Sequence, residues 1–492
     1  MITSKTQSAS LRAMAGSFLL FAALLILAMA GVSSNAQAGQ YFRTASSRVQ
    51  RMVERGDLPA LKALAEKGFD LNENAENYLT AAISANQLDV LRFLVERGLD
   101  PKLTINSSYD SNLLTHLCSV LLTSEGEARE ADEEETVGIA QFLLEQGVDP
   151  RPVKSETTLL HLAAEAGNAK LAEFLIGLKF DLDATDDDEN TPLMVAVRNE
   201  NVRTVKVLLK AGAKTVILED GVVIDAMLHD AIQSANLELV QALVEGGAPL
   251  ETFFNGGTAL HAAVAGKEAE ITRFLVEKGA DLEARTEDGW TPLLLAILDD
   301  LDVVKFLADH GANLTAVTDN DRDALFLSAE AGKPEIVDFF LEKKLDPKRI
   351  NFSGQSLLFA AALSGNPDLF RKLTALELDL KVVDCWGQTL LFAAAAGGNL
   401  EILKFLSENG VEINARNLNG RTAFNVAKEG NAGDEVIAFF RSLGGRTTSN
   451  RIRDGIDTPF TNGMGGMGGM GCMGAPAMPV MGGMGGGMGG FM

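Results

Sequence analysis

Residues Thr258–Arg285 read TALHAAVAGKEAEITRFLVEKGADLEAR, and the chain keeps returning to that pattern. The next unit opens TPLLLA at Thr291 and runs on to KFLADHGANLTA, ending at Ala316. Thr389–Arg416 reads TLLFAAAAGGNLEILKFLSENGVEINAR. Each unit offers a polar start, a small-residue helix, a short turn, a second apolar helix, a turn carrying glycine, and an extended arm. Aligned on the threonine position, units start at Ser47, Asn77, Asn112, Thr158, Thr191, Ala226, Thr258, Thr291, Asp323, Ser356, Thr389 and Thr422. The spacing is 33 residues or close to it, apart from one unit of 46.

The physics of one unit explains the period. Thr258, Thr291 and Thr389 each cap a helix start, with Pro292 at a first helical position. Ala262, Ala263 and the run Ala393–Ala396 let first helices approach closely. The second helix carries an apolar stripe: Ile271, Phe274, Leu275 and Val276 in one unit, Ile402, Leu403, Phe405 and Leu406 in another. Gly279, Gly311 and Gly410 supply the left-handed turn after it. No unit buries its own apolar face, so units must stack.

A 33-residue period with T-P-L-H-x-A-like starts resembles the ankyrin repeat. The resemblance extends over about 400 of the 492 residues. It implies an all-α solenoid of tandem helix-turn-helix units with extended β-hairpin arms, and it implies binding of partners more than catalysis. The sequence departs from the pattern at Lys179, Lys344 and Glu377, which stand where glycine is expected. A left-handed residue there would cost about 1–2 kcal/mol, which predicts either another turn geometry or soft joints. The first unit, from Ser47, and the last, from Thr422, are degenerate enough to serve as caps.

Residues 1–38 lie outside the array. Lys5 and Arg12 precede an apolar run, Phe18–Ala30, followed by Ala36-Gln37-Ala38. This is the layout of an export signal cleaved after Ala38, predicting a periplasmic or extracellular protein. The run is shorter than the ~20 residues of a membrane span; retained, it would be the chain's one membrane anchor. The expected organisation is a signal segment 1–38, an array 39–445 with an insertion near 123–136, a linker 446–462, and a disordered Gly/Met-rich tail 463–492. The formal charge is −24. Cleavage removes two cations and no acid, taking it to −26, which argues against nucleic-acid binding.

Three scattered cysteines, Cys118, Cys385 and Cys472, make no disulfide framework. Cys118 falls in a first helix and reads as core. His161, His229 and His261 share one position, three residues after their unit's anchor; the resemblance implies a structural role there, bonding neighbouring units. From Asp323 on, that position holds Phe326, Phe359, Phe392 and then Asn425, so apolar packing replaces the hydrogen bond. No nucleophile elbow, phosphate loop, zinc-protease or dinucleotide motif appears, and the chain reads as a non-enzyme without a bound cofactor. The acidic run Asp186–Glu189 reads as a solvated helix-start segment, with calcium as a minor alternative.

The arms carry the functional expectation. Phe254, Trp290, Phe352 and Trp386 all fall within four residues before an anchor. Four aromatics at arm positions predict a row of protein-partner contacts, with packing on the neighbouring arm as the alternative. Glu165, Arg198 and Lys267 on the first helices belong to the same expectation. The tail offers a second reading. Met464, Met467, Met470, Cys472, Met473, Met478, Met481 and Met484 repeat soft ligands that suit Cu(I). A third is a secreted, host-directed effector. The leading expectation is an exported, non-catalytic scaffold that binds a protein, of unspecified identity, through arm tips and a concave groove.

Overall fold

A computed structural model describes residues 46–105, 112–123, 130–150, 156–219 and 222–447. The signal segment 1–38, the linker from 448 on and the Gly/Met tail, with all the tail's candidate metal ligands, lie outside the described residues. The chain divides into two compact units at Pro192/Leu193.

The first unit is a stack of helix pairs. Among the described residues it holds 46–54 with Leu58–Glu66, Ala75–Ser84 with Leu88–Glu96, Leu113–Thr123 with Glu130–Glu145, and Leu159–Glu165 with Ala169–Gly177. First helices stack on first helices and second on second, as expected when each pair is apolar on two sides. The outermost helix, 46–54, buries only Val49 and Val53, so it closes the stack with a polar face. Part of the predicted insertion is helical: Glu130–Glu145 starts early and takes in the acidic stretch, while 124–129 lies outside the described residues.

The second unit repeats the plan in eight described pairs, from Pro192–Arg198 with Val202–Ala211 to Ala423–Glu429 with Asp434–Ser442. Its core holds more large aromatics than the first unit's, where Tyr78 is fully buried: Phe340, Phe359, Phe370, Phe392 and Phe440 are fully buried here. Burying each such side chain contributes about 1.5–3 kcal/mol. The last helix buries only Val436 and Phe440 and closes the stack.

Local chemistry sets the helix starts. Thr291 Oγ1 accepts from Leu294 N at 3.4 Å, and Asp323 Oδ1 accepts from Phe326 N at 2.8 Å. Several second helices begin at asparagines: Asn366 Oδ1 accepts from Leu369 N, and its amide donates to Gly332 O of the preceding repeat. Asn399 does the same with Ile402 N and Gly365 O. Two sequence anchors are corrected. Ser47 and Asn77 lie inside helices that begin further upstream.

The turn expectation is also corrected. Lys179, Lys344 and Glu377 take the left-handed conformation that glycine takes elsewhere, at φ 65°, 66° and 54°. Both helix-closing bonds are made at Lys179 and Lys344, as in Lys344 N to Leu341 O at 2.9 Å and Leu345 N to Phe340 O at 3.1 Å, and Glu377 N keeps the shorter one to Thr374 O, so closing the helix outweighs the backbone cost. A second left-handed position, nine residues after the anchor, was not anticipated; it is occupied by Glu200, Ala235 and Lys267 among others.

Candidate interaction surface

The arms between pairs fold back on themselves. Isolated antiparallel bridges join Val317 to Asp323, Ile350 to Ser356 and Val383 to Thr389. The arm before Ala226 is a longer hairpin, Val216–Glu219 against Val222–Ala226. Successive arms in the second unit are tied at equivalent atoms: Asp319 N donates to Asp288 O, Cys385 N to Ser353 O, and Leu418 N to Trp386 O, at 2.8–3.1 Å. Gly354 and Gly387 make this approach possible. Both have positive φ, and a Cβ on either would sit 3.3 Å from backbone of the next arm.

Three arms are also latched to a histidine of the preceding repeat's first helix. His161 Nδ1 accepts from the Thr158 N–H at 3.1 Å and pairs with the Thr158 hydroxyl at 2.8 Å. That leaves Nε2–H to donate to Asn190 O at 2.9 Å in the next arm. His261 repeats this with Thr258 and with Trp290 O at 3.1 Å. His229 reaches Gly257 O at 3.3 Å, but its anchor is Ala226 and its Nδ1 is buried with no partner. Burial pushes all three imidazoles below the ordinary histidine range. Where phenylalanine takes the position, the ring packs and the anchor hydroxyls of Ser356 and Thr389 are left buried and unbonded. At the last repeat Asn425 Oδ1 restores the bond by accepting from Thr422 N and Oγ1.

The four aromatics chosen from sequence separate. Phe352 stands 71% exposed at its arm tip. Phe254, Trp290 and Trp386 are half-buried. Phe254 lies edge-on to His229, ring centroids 5.6 Å apart, so it packs on the latch beneath it. Trp386 sits one residue past the tip, in a turn whose backbone is held by Asp384. Sequence reasoning missed Ile350, Val383 and Leu418, which are 56%, 51% and 78% exposed. With Phe352 they form an apolar row on three consecutive arms, tied tip to tip by the bonds above.

The acidic run has local work. Asp186 Oδ1 accepts from Asp188 N and Asn190 N at 2.9 Å, and Asp187 Oδ1 accepts from Glu156 N at 3.2 Å. Lys267 is exposed and pairs with Asp299 at 2.9 Å; Glu165 and Arg198 are exposed at the ends of their helices. Among the described residues no group of three or more His, Cys, Asp or Glu is placed to hold a metal ion, and no helix is long and apolar enough to cross a membrane. Cys118 is buried, and burial pushes its thiol up to about 12.

A family model for ankyrin repeats matches three times, over residues 130–218, 228–318 and 357–440, together more than half of the chain. Palmitoyltransferase AKR1 of Lachancea kluyveri is 26% identical over 214 residues, which are 41% of this chain and 27% of that protein. Ankyrin repeat and SOCS box protein 11 of Homo sapiens is 32% identical over 92 residues, 19% of this chain and 28% of that protein. The matched stretches thus span about a quarter of these relatives' lengths. The crystal structure of the human ASB11 ankyrin repeat domain aligns at a TM-score of 0.38 and 22% identity, covering 44% of this chain and 97% of that one.

Proposed function

The chain belongs to the ankyrin-repeat family, and we propose that it is an exported, non-catalytic scaffold whose second unit binds a protein through its last arms. The observation that carries this is the apolar row Ile350, Phe352, Val383 and Leu418. Isolated exposed apolar residues are ordinary, but a row held in register on a rigid frame is a contact surface. Export is supported by the charge, apolar-run and cleavage pattern of residues 1–38. The non-catalytic reading is supported by His161 and His261, whose ring nitrogens are spent on backbone carbonyls and capping threonines. The palmitoyl transfer named for one relative concerns a protein of which the match is 27%.

A variant with Ile350, Phe352, Val383 and Leu418 all changed to Ser tests the surface. Used as bait beside the wild type in an envelope extract, it should lose the captured protein while helical signal and melting stay unchanged. Identical capture by both would remove the arm row from the account. The Met-rich tail keeps a second reading, a soft-metal site built from its Met-x-x-Met spacing; Cu(I) stoichiometry unchanged by deleting residues 463–492 would end it.

A further inference from the structure

The arms of the second unit change character along the stack. At the position four residues before the anchor stand Phe254, half-buried against His229, then Glu287 and Asp319, and then Phe352, Cys385 and Leu418. The charge changes with the tip. Burial alternates along each of the last arms, so that Lys348, Ile350 and Phe352 face solvent while Arg349 and Asn351 turn inward. On the next arm Lys381 and Val383 face out around inward Val382 and Asp384. On the last, Arg416 and Leu418 face out around buried Asn417.

The inward cation is spent: Arg349 pairs with Asp321 and Asp323. The outward cations are not, since Lys348, Lys381 and Arg416 are exposed and make no ion pair among the described residues. Two exposed carboxylates share these arms, each two residues before a lysine. Asp346 and Asp379 accept from the backbone N–H of Lys348 and Lys381 at 2.9 and 2.8 Å. A chain of net charge −24 thus presents a strip that interleaves cations with bare apolar side chains.

We infer that the last three arms recognise a protein segment carrying both acidic and apolar side chains. This rests on the binding function proposed above and gives its partner a chemistry. Apolar contacts to Ile350, Phe352, Val383 and Leu418 supply the adhesion. Lys348, Lys381 and Arg416 at the rim set orientation and select against basic segments, because rim charges act mainly on encounter and on rejecting wrong partners.

The test uses the full chain and a fluorescent synthetic peptide alternating Glu and Leu, with matched peptides carrying Lys for Glu or Ser for Leu. The Glu/Leu peptide should bind, more weakly as salt rises, and neither matched peptide should. Lys348→Glu, Lys381→Glu and Arg416→Glu together should weaken it by about tenfold or more and admit the Lys/Leu peptide. Equal binding of the Glu/Leu and Lys/Leu peptides to the wild type would overturn the inference. So would binding of phosphatidylglycerol vesicles with no peptide binding, or self-association lost in the Ser variant with no peptide binding. The two claims fail separately: a charge-reversed bait that keeps the partner the Ser variant loses leaves the surface standing and removes the acidic selectivity.

Discussion

The imidazole of His261 donates to the carbonyl of Trp290, 29 residues ahead, at 3.1 Å, while its other nitrogen is held by Thr258. One ring thereby caps its own helix and pins the next arm. His161 does the same for the arm that ends at Asn190, so the position of an arm is set by a side chain one repeat earlier.

This latch predicts a pH dependence. Burial lowers the folded values of His161, His229 and His261 from 6.5, so the unfolded chain binds protons that the folded chain refuses. The stability they contribute is fully present above pH 6.5 and is lost as pH falls from there through their lowered folded values. Asp323, Glu330 and Asp384 shift the other way: burial raises them, so they favour the folded state below 3.8–4.5 and lose that contribution as pH rises through their raised values. The urea midpoint should therefore fall as pH drops below 6.5. Changing His161 and His261 to Phe, the residue later repeats use, should flatten that dependence; an unchanged slope would remove the latch as its source.

Ala226 breaks the latch in one repeat. By alignment with Thr158 and Thr258, whose hydroxyls bond the imidazoles three residues on, its replacement by Thr is expected to supply the hydroxyl that His229 Nδ1, buried without a partner, lacks. A stabilisation of about 1 kcal/mol is expected, the net worth of one buried hydrogen bond. Thermal melting of Ala226→Thr beside the wild type measures it, and a lower melting temperature would count against the geometry.

Lys344 holds a left-handed turn at φ 66°. Lys344→Gly should stabilise the chain by about 1 kcal/mol, the relief of the Cβ clash less the extra entropy of the unfolded glycine. Lys344→Ala keeps the clash and should give nothing comparable. Equal effects from the two substitutions would show that the turn is not strained.

Asp384 is buried, accepts from the N–H of Trp386 and of Gln388 through Oδ1, and leaves Oδ2 without a hydrogen bond. Burial raises its carboxyl, and the N–H groups of Gln388 and Trp386, with the nearby Gln355 amide, offset this only in part. Equivalent positions on the flanking arms are Asn351 and Asn417, which make the same pair of turn bonds. Asp384→Asn should raise stability near neutral pH by about 1 kcal/mol, because a buried charge is removed and the Oδ1 bonds stay. Denaturation at neutral and acidic pH checks it: the gain should shrink once the wild-type carboxyl is protonated.

Much of the fold was legible because period and composition report stacking directly. The Thr anchors, the histidine position and the paired helices follow from a 33-residue repeat with apolar stripes. The turns at Lys179, Lys344 and Glu377 were misjudged because propensity penalises a left-handed lysine, while the helix-closing bonds that outweigh the penalty are not visible in composition. The interaction row was half legible. Trp290 and Trp386 drew attention by residue type, yet exposure in an arm is set by alternation. KRINF at 348–352 reads as an unremarkable loop until the arm's inward and outward sides are known. Leu418, the most exposed large apolar residue among the described residues, carried no signal of its own.

The most direct test places a photo-cross-linking amino acid, one at a time, at Phe352, Leu418 and Lys404 of the full chain, the last exposed on a second helix away from the arms. Irradiation in an envelope extract should yield the same cross-linked partner from Phe352 and Leu418 and none from Lys404. A partner trapped from Lys404 and from neither arm position would contradict the account and move the contact to the helical face.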